Sequence, residues 1–262
     1  MIVDGKSLAR DIAEVLKQSI AKCPKAPVLG IVMIAPTAET RSFVRIKKEK
    51  AEELGILVIE EELQANVSQE EAEKLLQKVV LASDGVVLQQ PIPSHLNNDA
   101  LCASISPKKD IDALTENSAH TSPVAGAVQE ILSAHEIQTK GVAAVVIGSG
   151  KLVGIPVAKL LRDLGAEVVV MTKETGLDIK VLSKASIVVS GAGNAGLITK
   201  EMLSKDAVVI DAGTSESMGS IKGDVDTECY EYVRLISPVP GGVGPLTVVS
   251  LFKNLVKSAS CP

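Results

Sequence analysis

The sequence predicts an α/β protein of two domains built on parallel sheets. One reason is a series of short apolar runs with little polar alternation, at residues 28–35, 84–89, 143–147, 167–171, 187–189 and 208–210. Strands covered on both faces read this way. A second reason is the stretch 143–156, AAVVIGSGKLVGIP, where Gly148, Gly150, Gly154 and Pro156 separate an apolar run from the amphipathic segment 157–164. With the run at 167–171 it completes a strand–helix–strand unit. The third is composition: aromatic residues are 2% of the chain and Trp is absent, so the core must be built from Val, Ile, Leu and Ala.

Taken in order, residues 7–20 have helical period, with Leu8, Ile12, Val15, Leu16 and Ile20 on one face. Pro24 and Pro27 break it, and Pro36 ends the apolar run 28–35. Residues 40–54, TRSFVRIKKEKAEEL, read as a helix closed by Gly55. Val44, Lys47, Ala51 and Leu54 share a stripe, Phe43 lies beside it, and Lys48, Glu49, Glu52 and Glu53 lie on the solvated side. Lys47 therefore stands where the period asks for an apolar residue. Either it snorkels past a helix edge, or it occupies a partly dry site, where a lowered pKa suits an amine to proton transfer. Residues 57–61 form a strand, and 68–81 a helix with Ser68 and Glu71 as a capping box.

Gln89 ends the run DGVVLQ and opens the turn Gln89-Gln90-Pro91-Ile92-Pro93. Polar residues at the C-terminal end of a parallel strand face the ligand crevice of an open α/β sheet; the alternative is that Gln89 only bonds its own proline turn. Residues 98–105 form a short helix. In Pro107-Lys108-Lys109-Asp110-Ile111-Asp112 one acid suffices to cap a following helix, and the second asks for another use. The polar, turn-rich segment 113–125 marks the crossing between domains, and 126–137 is a helix leading to the glycine turn.

Glycines between strand and helix permit a tight turn and let the backbone approach a phosphate at the helix N-terminus. The G-x-G-x-x-x-G spacing from Gly148 to Gly154 also suits a turn needed only for helix–sheet packing. The next strands end in Ser190-Gly191-Ala192-Gly193 and Asp211-Ala212-Gly213-Thr214. Small residues at successive strand ends leave room for a flat ligand along the sheet edge, which favours a dinucleotide. Residues 236–247, ISPVPGGVGPLT, read as a stiff loop, and 248–258 as a last helix.

The net charge of −5, with no basic patch interleaved with aromatics, argues against nucleic acid. No apolar run approaches the ~20 residues of a membrane span, and the start, MIVDGKSLAR, lacks the apolar core of a signal peptide. Cys23, Cys102, Cys229 and Cys261 are scattered with no C-x-x-C pair, and read as reduced, metal-free cysteines of a cytoplasmic protein.

Together these pieces resemble, over nearly the whole chain, the bifunctional methylenetetrahydrofolate dehydrogenase/methenyltetrahydrofolate cyclohydrolase family. The most specific is PVPGGVGPLT at 238–247. Asp4-Gly5-Lys6, FVRIKKEKAEELGI, QQPIP, KKDID, the glycine turn ending VGIP, and GDVD at 223–226 are also similar, in the family's order. The resemblance implies an N-terminal catalytic domain, 1–117, completed by a C-terminal helix, 246–262. It implies a Rossmann-like NAD(P)-binding domain at 118–245, with the substrate cleft between the domains. The implied activity is oxidation of methylenetetrahydrofolate with NADP, NAD being an option, and hydrolysis of the methenyl product to formyltetrahydrofolate. No metal is implied, and a cytoplasmic homodimer is.

Residue by residue, the resemblance implies proton transfer by Lys47, assistance from Gln89, and a hold on the pterin by Asp112. It implies substrate contacts from Phe43, Pro240, Gly241 and Gly242. It implies cofactor contacts from Gly148, Ser149, Gly150, Val153, Gly154, Lys173 and Thr214. Departures from the family pattern are specific. Phe43 stands where Tyr is usual, keeping the ring and losing the hydroxyl. Ala113-Leu114-Thr115 replaces Gly-Phe-His, and the loop between Asn117 and Gly126 is shorter. Ser149-Gly150 replaces Arg-Ser in the glycine turn. Lys173 can replace the lost arginine as a point charge, whereas Glu174 suits a ribose hydroxyl. Two rival readings follow: a dehydrogenase with weak hydrolysis, or a non-catalytic folate- or nucleotide-binding protein.

Overall fold

The computed structural model describes residues 1–217 and 220–261. Each of its two units is built from two separate segments of the chain: Asp11–Pro123 with Val248–Pro262, and Met1–Arg10 with Val124–Thr247.

The first unit takes most of α1 (Gly5–Ile20) and then alternates strand and helix: β1 (Val28–Ile34), α2 (Ala38–Leu54), β2 (Leu57–Leu63), α3 (Gln69–Ala82), β3 (Gly85–Leu88) and α4 (Asn98–Ala103). The strands form a parallel sheet in the order β2-β1-β3. β1 and β3 are buried, whereas the edge strand β2 is partly exposed and carries Glu60, Glu61 and Glu62. These pair with Lys48, Lys78 and Arg41, so the open edge is charged rather than sticky. Val32, Ile34, Leu76, Val79, Val86, Leu88 and Leu101 form the core. The caps follow the sequence. Thr37 accepts from Thr40 N at the start of α2, Gly55 closes it at φ 76°, and Ser68 and Glu71 complete the capping box of α3.

The second unit continues with α5 (Pro123–Ala134), β4 (Ala143–Ile147), α6 (Gly154–Asp163), β5 (Glu167–Met171), α7 (Ile179–Leu182), β6 (Ile187–Ser190) and β7 (Val208–Asp211). A hairpin of β8 (Ser215–Ser217) and β9 (Ser220–Lys222), β10 (Leu235–Ser237) and the start of α8 (Val243–Ser258) complete it. Its parallel sheet has the order β10-β7-β6-β4-β5.

The structure corrects several expectations. The stiff loop expected over 236–247 is shorter, because β10 occupies its start and α8 begins at Val243. Pro245 falls in the first turn of α8, where no N–H is needed. The hairpin was not anticipated. The N-terminal domain expected over 1–117 loses its first ten residues to the second unit. The cause is a strand-like pairing with β10: Met1 N donates to Arg234 O and Val3 N to Ile236 O at 2.8 Å.

The cysteines are not all reduced. Cys23 and Cys261 form a disulfide with Cα atoms 5.0 Å apart, while the buried Cys102 and Cys229 remain thiols. The turn after α1 meets the chain end after α8, and a separation of 238 residues leaves no local spacing to betray the pair. Among the described residues no helix is long and apolar enough to cross a membrane.

Candidate functional site

In the first unit β1 is central, the next strand lies on one side of it and the following one on the other. The order therefore reverses between β1 and β3, and the carboxyl ends of those strands flank the crevice where open α/β sheets take ligands. Gln89 is the first residue beyond β3. Lys47 comes from α2, the helix that follows β1. Thr40, Val44, Ala51 and Leu54 anchor that helix as its buried stripe, and Lys47 is partly buried in line with them.

Lys47 Nζ donates to Gln89 Oε1 at 2.6 Å. The other end of the same amide is fixed, since Gln89 Nε2 donates to Gln90 O at 3.0 Å. The amide oxygen is thus held toward the amine. Neighbouring lysines behave differently: Lys48 pairs with Glu60 and Lys50 with Glu53 on the solvated side. Burial pushes the Lys47 amine below the ordinary lysine range, and the Asp112 charge pulls it partly back. A lysine with that balance can release its proton more readily than a surface lysine.

Asp112 reaches this place because residues 109–112 run beside β3. Asp110 bridges Val86 in parallel, and Val86 N donates to Lys109 O. Asp110 itself is fully buried and structural: it accepts from Leu114 N, Thr115 N and Thr115 Oγ1 at 2.9–3.0 Å. Ile111 is core, and Ala113 turns the chain at φ 51°, a left-handed conformation more natural to glycine. Asp112 is left beside the amine. Burial raises its pKa, the Lys47 charge opposes that rise, and Asp110 adds to it. Phe43, one turn before Lys47 on α2, is 42% exposed, so its ring is available to a flat partner.

In the second unit the strand order reverses between β4 and β6. Gly148 follows β4 at φ 103°, and a Cβ there would lie 2.7 Å from Gly191 O, just beyond β6. A Cβ on Gly154 would lie 2.1 Å from Gly148 O, so only glycine lets α6 start this close to the turn. A Cβ on Gly150 would meet nothing within 4 Å: its exposed backbone is open to an approaching group. No side chain caps α6, whose N-cap is Val153. An open glycine backbone at an uncapped helix start fits the diphosphate of a dinucleotide. Ser149 and Thr214 are exposed at the ends of β4 and β7; Lys173 and Glu174 are exposed beyond β5. Pro240, Gly241 and Gly242 form the turn before α8. There Gly5 packs so tightly that a Cβ on it would lie 1.9 Å from Gly242 O.

Asp211 and Asp224 have no role in the sequence pattern. Both are buried and bonded to the backbone of the strand ends. The visible signal was an aspartate closing the apolar run VVID and another inside GDVD, each needing a partner if buried.

Comparison with known proteins identifies the family. The family model for the tetrahydrofolate dehydrogenase/cyclohydrolase catalytic domain matches residues 3–112, and that for the family's NAD(P)-binding domain matches residues 121–261. The "Bifunctional protein FolD" of Lactobacillus acidophilus is 35% identical over 98% of this chain and 96% of its own length. The crystal structure of the bifunctional FolD methylenetetrahydrofolate dehydrogenase/cyclohydrolase from Campylobacter jejuni superposes with a TM-score of 0.94 at 31% identity, covering 99% of this chain and 98% of that one. The Trypanosoma brucei enzyme, solved with NADP cofactor and inhibitor, gives 0.91 at 32% identity, covering 99% and 97%. With both halves matched and relatives aligned end to end, this chain belongs to the tetrahydrofolate dehydrogenase/cyclohydrolase family.

Proposed function

We propose that Lys47 is the proton-transfer group of a bifunctional folate enzyme, with Gln89 and Asp112 as its partners. The enzyme oxidises methylenetetrahydrofolate to the methenyl form with NAD(P) and hydrolyses the methenyl form to formyltetrahydrofolate, as part of one-carbon metabolism. The observation that carries the residue assignment is the 2.6 Å bond from Lys47 Nζ to the immobilised Gln89 amide oxygen.

The chemistry follows from charge. A bound nicotinamide supplies the hydride acceptor, and the glycine backbone of 148–154 with the uncapped start of α6 is what this chain offers its diphosphate. Loss of hydride leaves a cationic methenyl carbon, which water attacks. Positive charge nearby disfavours a second cation, so the Lys47 amine, already lowered by burial, is driven further toward its neutral form. In that form it takes the proton from the attacking water. Gln89 holds the amine in place through its fixed oxygen. Asp112 accepts from the adjacent N–H donors of the pterin as a carboxylate, while Phe43 offers its exposed ring to the folate. Pro240–Gly242 and Lys173 complete the substrate and cofactor contacts in this reading, which also places the protein in the cytoplasm as a homodimer.

A steady-state assay with methylenetetrahydrofolate tests the function. NADP+ is expected to be reduced, with NAD+ slower, and isolated methenyltetrahydrofolate is expected to lose its absorbance faster than the spontaneous rate. Cofactor reduction without hydrolysis would leave a dehydrogenase alone; neither reaction would remove the reading.

The electrostatics give a second test. Asp112 holds the Lys47 pKa up, so Asp112→Asn should lower it further. Neutral lysine is then present at lower pH, and the rising acid limb of the hydrolysis profile should move to lower pH. An acid limb that stays in place means that Lys47 does not set it.

A further inference from the structure

Two buried carboxylates in the second unit play no part in the mechanism above, and their contacts are unusually directed. Asp224 is 0% exposed. Its Oδ2 accepts from Ser190 Oγ and Ala192 N at 2.7 Å and from Gly193 N at 3.3 Å, and its Oδ1 accepts from Asn194 N at 2.7 Å. Asp211 is 1% exposed and closes β7. Its Oδ1 accepts from Gly213 N at 3.0 Å and Asp224 N at 3.2 Å, and its Oδ2 from Val225 N at 2.9 Å. Asp211 N donates to Ser237 Oγ at the end of β10.

The links run in series. Ser237 holds Asp211, Asp211 holds the segment 223–225, and Asp224 within that segment holds residues 192–194 beyond β6. The last of these adjoins the glycine turn, since a Cβ on Gly148 would lie 2.7 Å from Gly191 O and 3.4 Å from Ala192 N. Two glycines are shaped around the carboxylates. A Cβ on Gly213 would fall 2.1 Å from the Asp224 carboxyl, and one on Gly223 would fall 2.1 Å from Asp211 Oδ2. The small residues at these strand ends thus serve two bound carboxylates as well as leaving room for a ligand.

We propose that Asp211, acting through Asp224, is a positioning residue for the dinucleotide: it sets the backbone at the ends of β6 and β7 on which the cofactor lies. The proposal rests on the cofactor reading above. The charged group facing Asp211 is Asp224, from the 223–226 segment; β10 presents the Ser237 hydroxyl and β6 the Ser190 hydroxyl, which bonds Asp224. The Tyr230 phenol lies one step out, accepting from Val239 N. Burial, the largest influence, and the like charge of Asp224 raise Asp211 to about 6, against three backbone N–H donors that lower it. The ionised form is the better acceptor for those donors, and charge-assisted bonds are the stronger ones. Proton gain near that pH should therefore slacken the platform.

The test is NAD+ binding by calorimetry, chosen because its diphosphate has no group titrating near 6, together with steady-state kinetics. Asp211→Asn keeps the shape but turns one acceptor into a donor facing Val225 N. The variant should raise the cofactor KM and dissociation constant about tenfold, the scale of one lost charge-assisted bond. kcat should change less than about twofold, and methenyl hydrolysis, which needs no cofactor, should be untouched. Wild-type affinity should weaken from pH 7.5 to 5, and the variant's pH dependence should be flatter. Should the variant fail to fold, the wild-type titration decides: weakening with a midpoint near 6 supports the proposal and a flat profile overturns it. Wild-type-like binding by Asp211→Asn, or equal losses in cofactor binding and hydrolysis, overturns this inference alone. A wild-type protein that binds neither NAD+ nor NADP+ overturns the cofactor reading with it.

Discussion

Lys47→Ala should cost the hydrolysis of methenyltetrahydrofolate about 10²–10⁴-fold, the usual worth of a positioned proton-transfer group. The protein should stay folded. Alanine is the best helix former, and the stripe residues Val44, Ala51 and Leu54 that seat α2 are untouched. The substitution takes from Asp112 the charge that opposes its burial, so that carboxyl moves further up and can take a proton rather than stay an unpaired anion. Gln89 is only partly buried, and water can replace the amine at its oxygen. Stability should therefore shift by no more than about 1 kcal/mol, read from urea unfolding. Lys47→Arg is a useful companion. A guanidinium stays protonated, so it should keep the hydrogen bond but not the activity. Hydrolysis that persists in the alanine variant at the native rate would mean that the amine is not the proton acceptor, whatever else it does.

The second large effect belongs to the other unit. Gly154→Ala puts a methyl group 2.1 Å from Gly148 O and 2.6 Å from Gly148 C, both backbone atoms that cannot rotate away. Relief requires α6 to withdraw from the end of β4, and overpacking of this kind costs about 1–3 kcal/mol. Cofactor affinity, which depends on the helix start and the turn being apposed, should fall about a hundredfold. Methenyl hydrolysis needs no cofactor and should persist. Gly150→Ala separates space from chemistry, because its methyl would touch nothing in the protein within 4 Å. Loss of cofactor binding there with an unchanged unfolding midpoint would locate the ligand at the turn. A Gly154→Ala enzyme that reduces its cofactor with a native KM would show that the turn is not where the dinucleotide is held.

Much of this architecture was legible because burial leaves its period in the sequence. The runs DGVVLQ and AAVVI became β3 and β4 with their ends displaced by no more than a residue, since strands enclosed on both faces admit no polar interruption. Lys47 stood out because the helical period made its neighbours Val44 and Ala51 core, and both are. Edge and termini were harder. β2 extends to Leu63, beyond the expected 57–61, because its glutamates are neutralised by lysine and arginine from the neighbouring helices, which strand propensity does not register. β10 takes the first two residues of the proline- and glycine-rich stretch that reads as loop; its strand pairing is supplied by β7 and by the first residues of the chain. The motifs around Asp211 and Asp224 show no function for either, because what matters about them is the direction of backbone N–H groups, which no residue pattern displays. The Cys23–Cys261 pair was invisible for the same reason, being a matter of meeting places rather than spacing.

That disulfide has a topological consequence. It turns residues 23–261 into a covalent ring that contains nearly every strand and helix, leaving α1 and the N-terminal segment as a tail. The unfolded chain is thus a lasso rather than a line, poorer in conformations by the closure entropy of a very long loop. A single protease cut in the polar connector between the units would open the ring without parting it, and the severed halves would still travel as one molecule until a reductant released them.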